Sequence, residues 1–227
     1  MNPARLTPHA AAIVSLVLLL PGSAFAQAPV VTTEILSGYL LPESNYLVTN
    51  RPVIQTDIFA LSASGIFGDL WYSHQLYQPT KFFAAPGDEV DLTGGWIGGF
   101  GPYLLKAQAA WWQIAGSGNN FADAKVTLSR NLGDWTPFAG IEDQLIIPRK
   151  KHIAMMHAGT DVAFKLFALP FQERLSVSWF DAGRVTVANV IYTTVDLGGV
   201  VARPILRLST DDRQHGAYAT FGLRFVL

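Results

Sequence analysis

Polar and apolar positions alternate along most of this chain. In FADAKVTLSRN, the polar Asp123, Lys125, Thr127, Ser129 and Asn131 fall on one side. Ala122, Ala124, Val126 and Leu128 fall on the other. YLLKAQAAWW sets Lys106 and Gln108 against Leu105, Ala107, Ala109 and Trp111, and RPILRLS sets Arg203, Ile205 and Arg207 against Leu206 and Leu208. A helix would scatter Asp123, Lys125 and Thr127 over different faces, whereas a strand keeps them together. Such segments recur twelve times: residues 30–41, 53–63, 66–77, 89–99, 103–115, 121–131, 136–147, 152–167, 173–181, 184–197, 201–209 and 215–227.

The connections alternate too. ASGI, FGP, NLGDW, LFALPFQE and LGGV are mostly tight and rich in glycine or proline. PESNYLVTNR, QPTKFFAAPGDE, GSGNN, PRKKH and TDDRQH tend to be longer and more polar, with the short Asp181-Ala182-Gly183 breaking the trend. Short turns at one end and longer loops at the other, on an even number of strands, fit a bacterial outer-membrane barrel. Boundaries drift by several residues in such a reading, so ten to fourteen strands satisfy the pattern.

The first residues place the chain. After Arg5 comes an apolar run from Ala10 to Leu20, then Pro21, Gly22 and the small-residue pattern Ala24-Phe25-Ala26. This reads as a signal peptide, residues 1–26, cut before Gln27. The run is far short of the roughly 20 residues a membrane-spanning helix needs. Residues 27–227 then form one exported domain. It holds no cysteine, which excludes disulfides and thiolate metal sites. Charges nearly cancel, 16 Lys+Arg against 17 Asp+Glu, and nothing points to nucleic acid. Half the chain is hydrophobic, yet no run beyond Leu20 is long enough for a helical span. The expected fold is therefore all-β, a transmembrane antiparallel up-and-down barrel of about twelve strands in the outer membrane. Every backbone polar group in lipid must be paired, and a closed sheet pairs them all.

Alternation alone does not say which face is inside, since a soluble barrel would carry the same pattern reversed. Trp71, Trp96, Trp111, Trp112, Trp135 and Trp179, with Tyr39, Tyr77, Tyr103 and Phe138, lie near segment ends. That placement predicts aromatic girdles at two membrane interfaces.

The final segment, TFGLRFVL, resembles the C-terminal β-signal of outer-membrane barrels through Gly222, Phe225 and Leu227, although such signals usually end on an aromatic residue. The resemblance implies recognition by the barrel assembly machinery and closure of the last strand on the first. Phe221, Leu223, Phe225 and Leu227 would face lipid, with Tyr218, Thr220 and Arg224 facing the lumen. SGYLLPESNYLVTNRPVIQTDI, residues 37–58, is similar to the start of the TorF-type porins, as is the Asp88-Glu89-Val90-Asp91 stretch. Leu41-Pro42 stands where that family usually has Arg-Gly.

Chemistry is sparse. His74 follows Ser73, and strand neighbours point to opposite faces. His157 and Asp161 share a face but lie about 13 Å apart along a strand. Gly116-Ser117-Gly118-Asn119-Asn120 lacks the lysine and helix of a phosphate loop. The basic Arg149-Lys150-Lys151-His152 reads as a solvated outer loop, or as a contact for lipopolysaccharide phosphates. No cofactor or metal site is indicated. The expected lumen face carries Asp69, Asp91, Lys106, Asp123, Lys125, Glu142, Asp161, Lys165, Arg203, Arg207 and Arg224. Twelve strands lie between the eight that side chains just fill and the 16–18 that leave an open channel. The expected function is a narrow porin for passive diffusion of small polar solutes. A lipid-acting barrel enzyme and a non-conducting anchor are the alternatives.

Overall fold

The computed structural model describes residues 28–40, 47–77, 88–115, 120–181, 183–198, 200–211 and 216–226. The expected signal peptide, Leu227 and much of the longer loops lie outside these. Twelve antiparallel strands form the wall: β1 (Val30–Leu36), β2 (Val53–Leu61), β3 (Ile66–Gln75), β4 (Glu89–Phe100), β5 (Tyr103–Ile114) and β6 (Asn120–Ser129). They continue as β7 (Trp135–Ile146), β8 (Lys151–Leu166), β9 (Leu169–Phe180), β10 (Val185–Thr193), β11 (Val201–Asp211) and β12 (Gly216–Val226). Each pairs with its sequence neighbours, and β1 pairs with β12, so the sheet closes. Full closure removes the unpaired edges that a flat sheet would present.

The faces are sorted inside out relative to a soluble barrel. Ile141, Met156 and Phe221 point outward and are 61%, 60% and 69% exposed. Glu34, Gln55, Ser73, Glu142, Ser178 and Thr220 point inward and are buried. Apolar outside and polar inside is the sorting that suits a wall standing in lipid.

At the seam, Gly222 opposes Leu36, and Ser37 N–H donates to the Phe221 carbonyl at 2.8 Å. A Cβ on Gly222 would lie 2.2 Å from the Ile35 carbonyl oxygen and 2.5 Å from Leu36 Cδ2. Only a residue without a side chain lets the two strands close here. Gly222→Ala is expected to destabilise by about 1–3 kcal/mol, the usual cost of overpacking. Gly99→Ala, whose Cβ would meet nothing within 4 Å, serves as control. The midpoint of urea unfolding checks both; equal midpoints would remove the steric reading of Gly222.

The spans differ from the sequence reading at three places. The first strand stops at Leu36, because the chain bends at Ser37-Gly38 and a short ladder, Tyr39–Leu40 with Leu47–Thr49, follows. The tenth stops at Thr193, and Val195–Asp196 pairs separately with Val201–Ala202. LFALPFQE is not a link: Leu166 pairs with Leu169 around Phe167 and Ala168 alone. Both have positive φ, 50° and 68°, as a two-residue hairpin turn requires. Asparagine or glycine usually marks such a turn, and neither is present.

Candidate functional site: the barrel interior

Side chains of a strand alternate between faces, so one inward residue fixes the rest. On β6, Asp123, Lys125 and Thr127 point inward; on β11, Arg203, Ile205 and Arg207 do. Interior cavities result, among them two of about 330 Å³ each. Asp69, Asp91, Asp123, Lys125, Glu142, Arg207 and Arg224 line the first, against the wall of the earlier strands. Lys125, Asp161, Arg207 and Arg224 line the second, against the later ones. Lys106 lies with Nζ 4.9 Å from the centroid of the Phe67 ring, outside both cavities. Arg203 opposes Arg224 and stands 5.7 Å from the Tyr192 ring. Lys165 belongs to neither, because β8 and β9 run past their neighbours. The last pairs with the adjoining strands are Val162–Trp135 and Phe171–Thr193, so Lys165 sits on a projecting hairpin and is exposed. Of the terminal strand, Gly222 lies at the seam and Phe225 faces outward beside Ala202 and Thr33.

Several interior residues escaped the sequence reading. Glu34 accepts from Arg207 Nη2 at 2.6 Å and from Arg224, which ties β1 to β11 and β12. Lys125 lies 3.5 Å from Glu142, and Arg174 lies 3.4 Å from Asp161. Asp57 and Glu89 join the first cavity. Glu34 shares the parity of Thr32, and Asp57 that of Gln55, so alternation within VVTTEIL and VIQTDIFAL is the signal that finds them.

The girdle expectation holds for part of the aromatic set only. Trp96, Tyr103, Trp135 and Trp179 face outward and are exposed. Trp71, Trp112, Tyr39 and Phe138 face the interior instead. Asp69 and Trp71 are two residues apart on one strand and must share a face, as must Phe138 and Glu142. Proximity to a strand end does not override that parity.

Tyr39 reaches the interior by a different route. The ladder that carries it folds inward from the connection between β1 and β2. Tyr39 is buried against Leu36, Val53 and Trp71, and its Oη donates to Glu89 Oε2 at 2.7 Å. Gln75 Nε2 donates to Thr49 Oγ1 at 2.9 Å and holds the return segment. Tyr39 lines the first cavity and Leu40 the second, so this backbone stands between them.

The described histidines each have a polar neighbour. His157 Nε2 lies 3.3 Å from Thr127 Oγ1, while Asp161 is held by Arg174. His74 Nδ1 lies 3.0 Å from Asp88 Oδ1, and Ser73 on the opposite face meets Gln55. His152 and Asp143 pair at 2.9 Å on the outer face, beside the exposed turn Ile147–Arg149.

No family model and no curated sequence matches this chain. Among solved structures, it is similar to the KdgM porin, solved in complex with disordered oligogalacturonate, at 10% identity and TM-score 0.55. That match covers 87% of this chain and 98% of the porin. The NanC porin matches at 8% identity and TM-score 0.55, over 87% of this chain and 98% of its own. An outer membrane channel from Pseudomonas putida F1 matches at 11% identity and TM-score 0.52, over 91% and 98%. At such identities the likeness is one of fold, and the shared fold is a closed antiparallel β-barrel, here of twelve strands.

Proposed function

We propose that the protein is an outer-membrane barrel acting as a narrow porin for small polar solutes. The observation that carries this reading is the inverted sorting of side chains. An apolar wall surrounds an interior lined by carboxylates, lysine and arginines, with cavities of about 330 Å³. Charged rings of this kind set the preference of aqueous pores. The fold shared with outer-membrane porins and the resemblance of residues 37–58 to the TorF-type porins support it. In the same reading, residues 1–26 direct export and the strand bearing Gly222, Phe225 and Leu227 engages the assembly machinery. Arg149, Lys150 and Lys151, exposed at the β7–β8 turn, then meet lipopolysaccharide phosphates.

Purified protein in planar bilayers is expected to give discrete conductance steps in potassium chloride. Bilayers that stay silent with heat-modifiable, folded protein would overturn the porin and favour the non-conducting barrel, with the Tyr39 ladder as its plug.

A further inference from the structure

Five interior residues on five neighbouring strands form one row, and Asp57, Trp71, Asp91 and Trp112 among them line the first cavity. Asp57 opposes Trp71, Trp71 opposes Asp91, Asp91 opposes Trp112, and Trp112 opposes Phe121. Directly opposed Cβ atoms are about 4.5–5.5 Å apart, so acid and aromatic groups stand side by side. Trp112 stacks on Phe121 with centroids 3.9 Å apart, and the Tyr39 ring lies 5.5 Å from Trp71. The next inward row runs through Asp69, Thr93, Ala110 and Asp123. The small pair leaves space in front of the row that holds the tryptophans.

The charge of this wall is one-sided. Lys125 is engaged by Glu142, and Arg207 and Arg224 by Glu34. Lys106, above Phe67, is the positive neighbour of Asp69. Asp57, Asp69, Glu89 and Asp91 remain as an excess of carboxylate in one cavity. Moreover, Asp57, Asp69 and Asp91 each bury an Oδ1 atom that accepts no hydrogen bond among the described residues.

An anion would meet carboxylates and the negative faces of indole rings, both repulsive. A metal ion needs converging ligands, and among the described residues no group of three acidic or histidine side chains could hold one. An organic cation gains from both features. Its N–H groups donate to carboxylates, and its charge and methylenes lie against Trp71 and Trp112. We infer that the first cavity binds a small organic cation, an aliphatic amine or a guanidinium compound, between Asp91 and the flanking tryptophans. As a transported solute it rests on the porin reading; as a binding site it stands alone.

The test uses full-length protein in detergent, titrated calorimetrically with putrescine and, separately, with sodium acetate and glucose. Saturable putrescine binding is expected, without acetate or glucose binding. Asp91→Asn, which is isosteric, and Trp71→Leu should each weaken it tenfold or more. Asp143→Asn on the outer face should leave it unchanged. Heat-modifiability shows that each variant is folded. Absent putrescine binding, or equal binding of acetate or glucose, overturns the inference, whether or not the bilayers conduct. Putrescine binding in a barrel that does not conduct upholds the site and removes the porin.

Discussion

Val126→Arg is expected to weaken folding into membranes by about 2–4 kcal/mol, the cost of arginine at mid-depth on the lipid face of a barrel. Val126 points outward from β6 and is 41% exposed, next to Ala107 and Ile141 on the adjoining strands. Thr127→Arg, one residue on, is expected to fold. Thr127 lines the second cavity, where Arg174, Arg207 and Arg224 already outnumber Asp161. Another cation there should shift ion preference towards anions once the pore conducts. The two sites share strand and depth, and differ only in face. Urea titration of vesicle-inserted protein measures the first effect, and reversal potential under a salt gradient the second. If Thr127→Arg is the damaging change, the outer wall does not stand in lipid.

The second large effect concerns the seam. Glu34→Ala is expected to destabilise the barrel by about 3 kcal/mol, the low end for breaking a buried ion pair. The low end applies because Arg207 and Arg224 keep 17% and 29% of their side chains exposed. Without Glu34, both arginines lose their shared partner, and Arg203 adds a third positive charge directly opposite Arg224. Removing one arginine as well, in Glu34→Ala with Arg224→Leu, should restore part of the loss, since much of the cost is unpaired charge rather than a missing bond. Denaturant midpoints of the single and double variants decide it. A double variant less stable than Glu34→Ala would mean that Arg224 stabilises the seam by something other than this carboxylate.

Much of the architecture was legible because strand alternation is a local property. The pleat puts residues i and i+2 on one face wherever the strand ends up, so Asp123, Lys125 and Thr127 were grouped before any fold was known. Tight and long connections gave the up-and-down order for the same reason. Nearness to strand ends misplaces Trp71, Trp112 and Phe138, although Asp69, Lys106 and Glu142 on the same faces point inward. The Phe167-Ala168 turn was hidden because its residues carry none of the usual signs of positive φ.

What the sequence by itself determined was a wall of about twelve strands, their up-and-down order and the partition of each into two faces, and the closed sheet fixed the number at twelve. Alternation alone left open which face is inside, since reversing every strand preserves it. Only the closed sheet decided that, by burying Glu34, Glu142 and Thr220 and exposing Ile141, Met156 and Phe221. Cross-strand register was equally out of reach. Neighbours in the row Asp57, Trp71, Asp91, Trp112 and Phe121 lie 9 to 21 residues apart in sequence, and a slip of one residue would turn each to the other wall. The inward ladder bearing Tyr39 was decided by the cavity that receives it. A polar loop beside a strand carries no local mark of whether it will meet water or fold back to donate a hydrogen bond to Glu89.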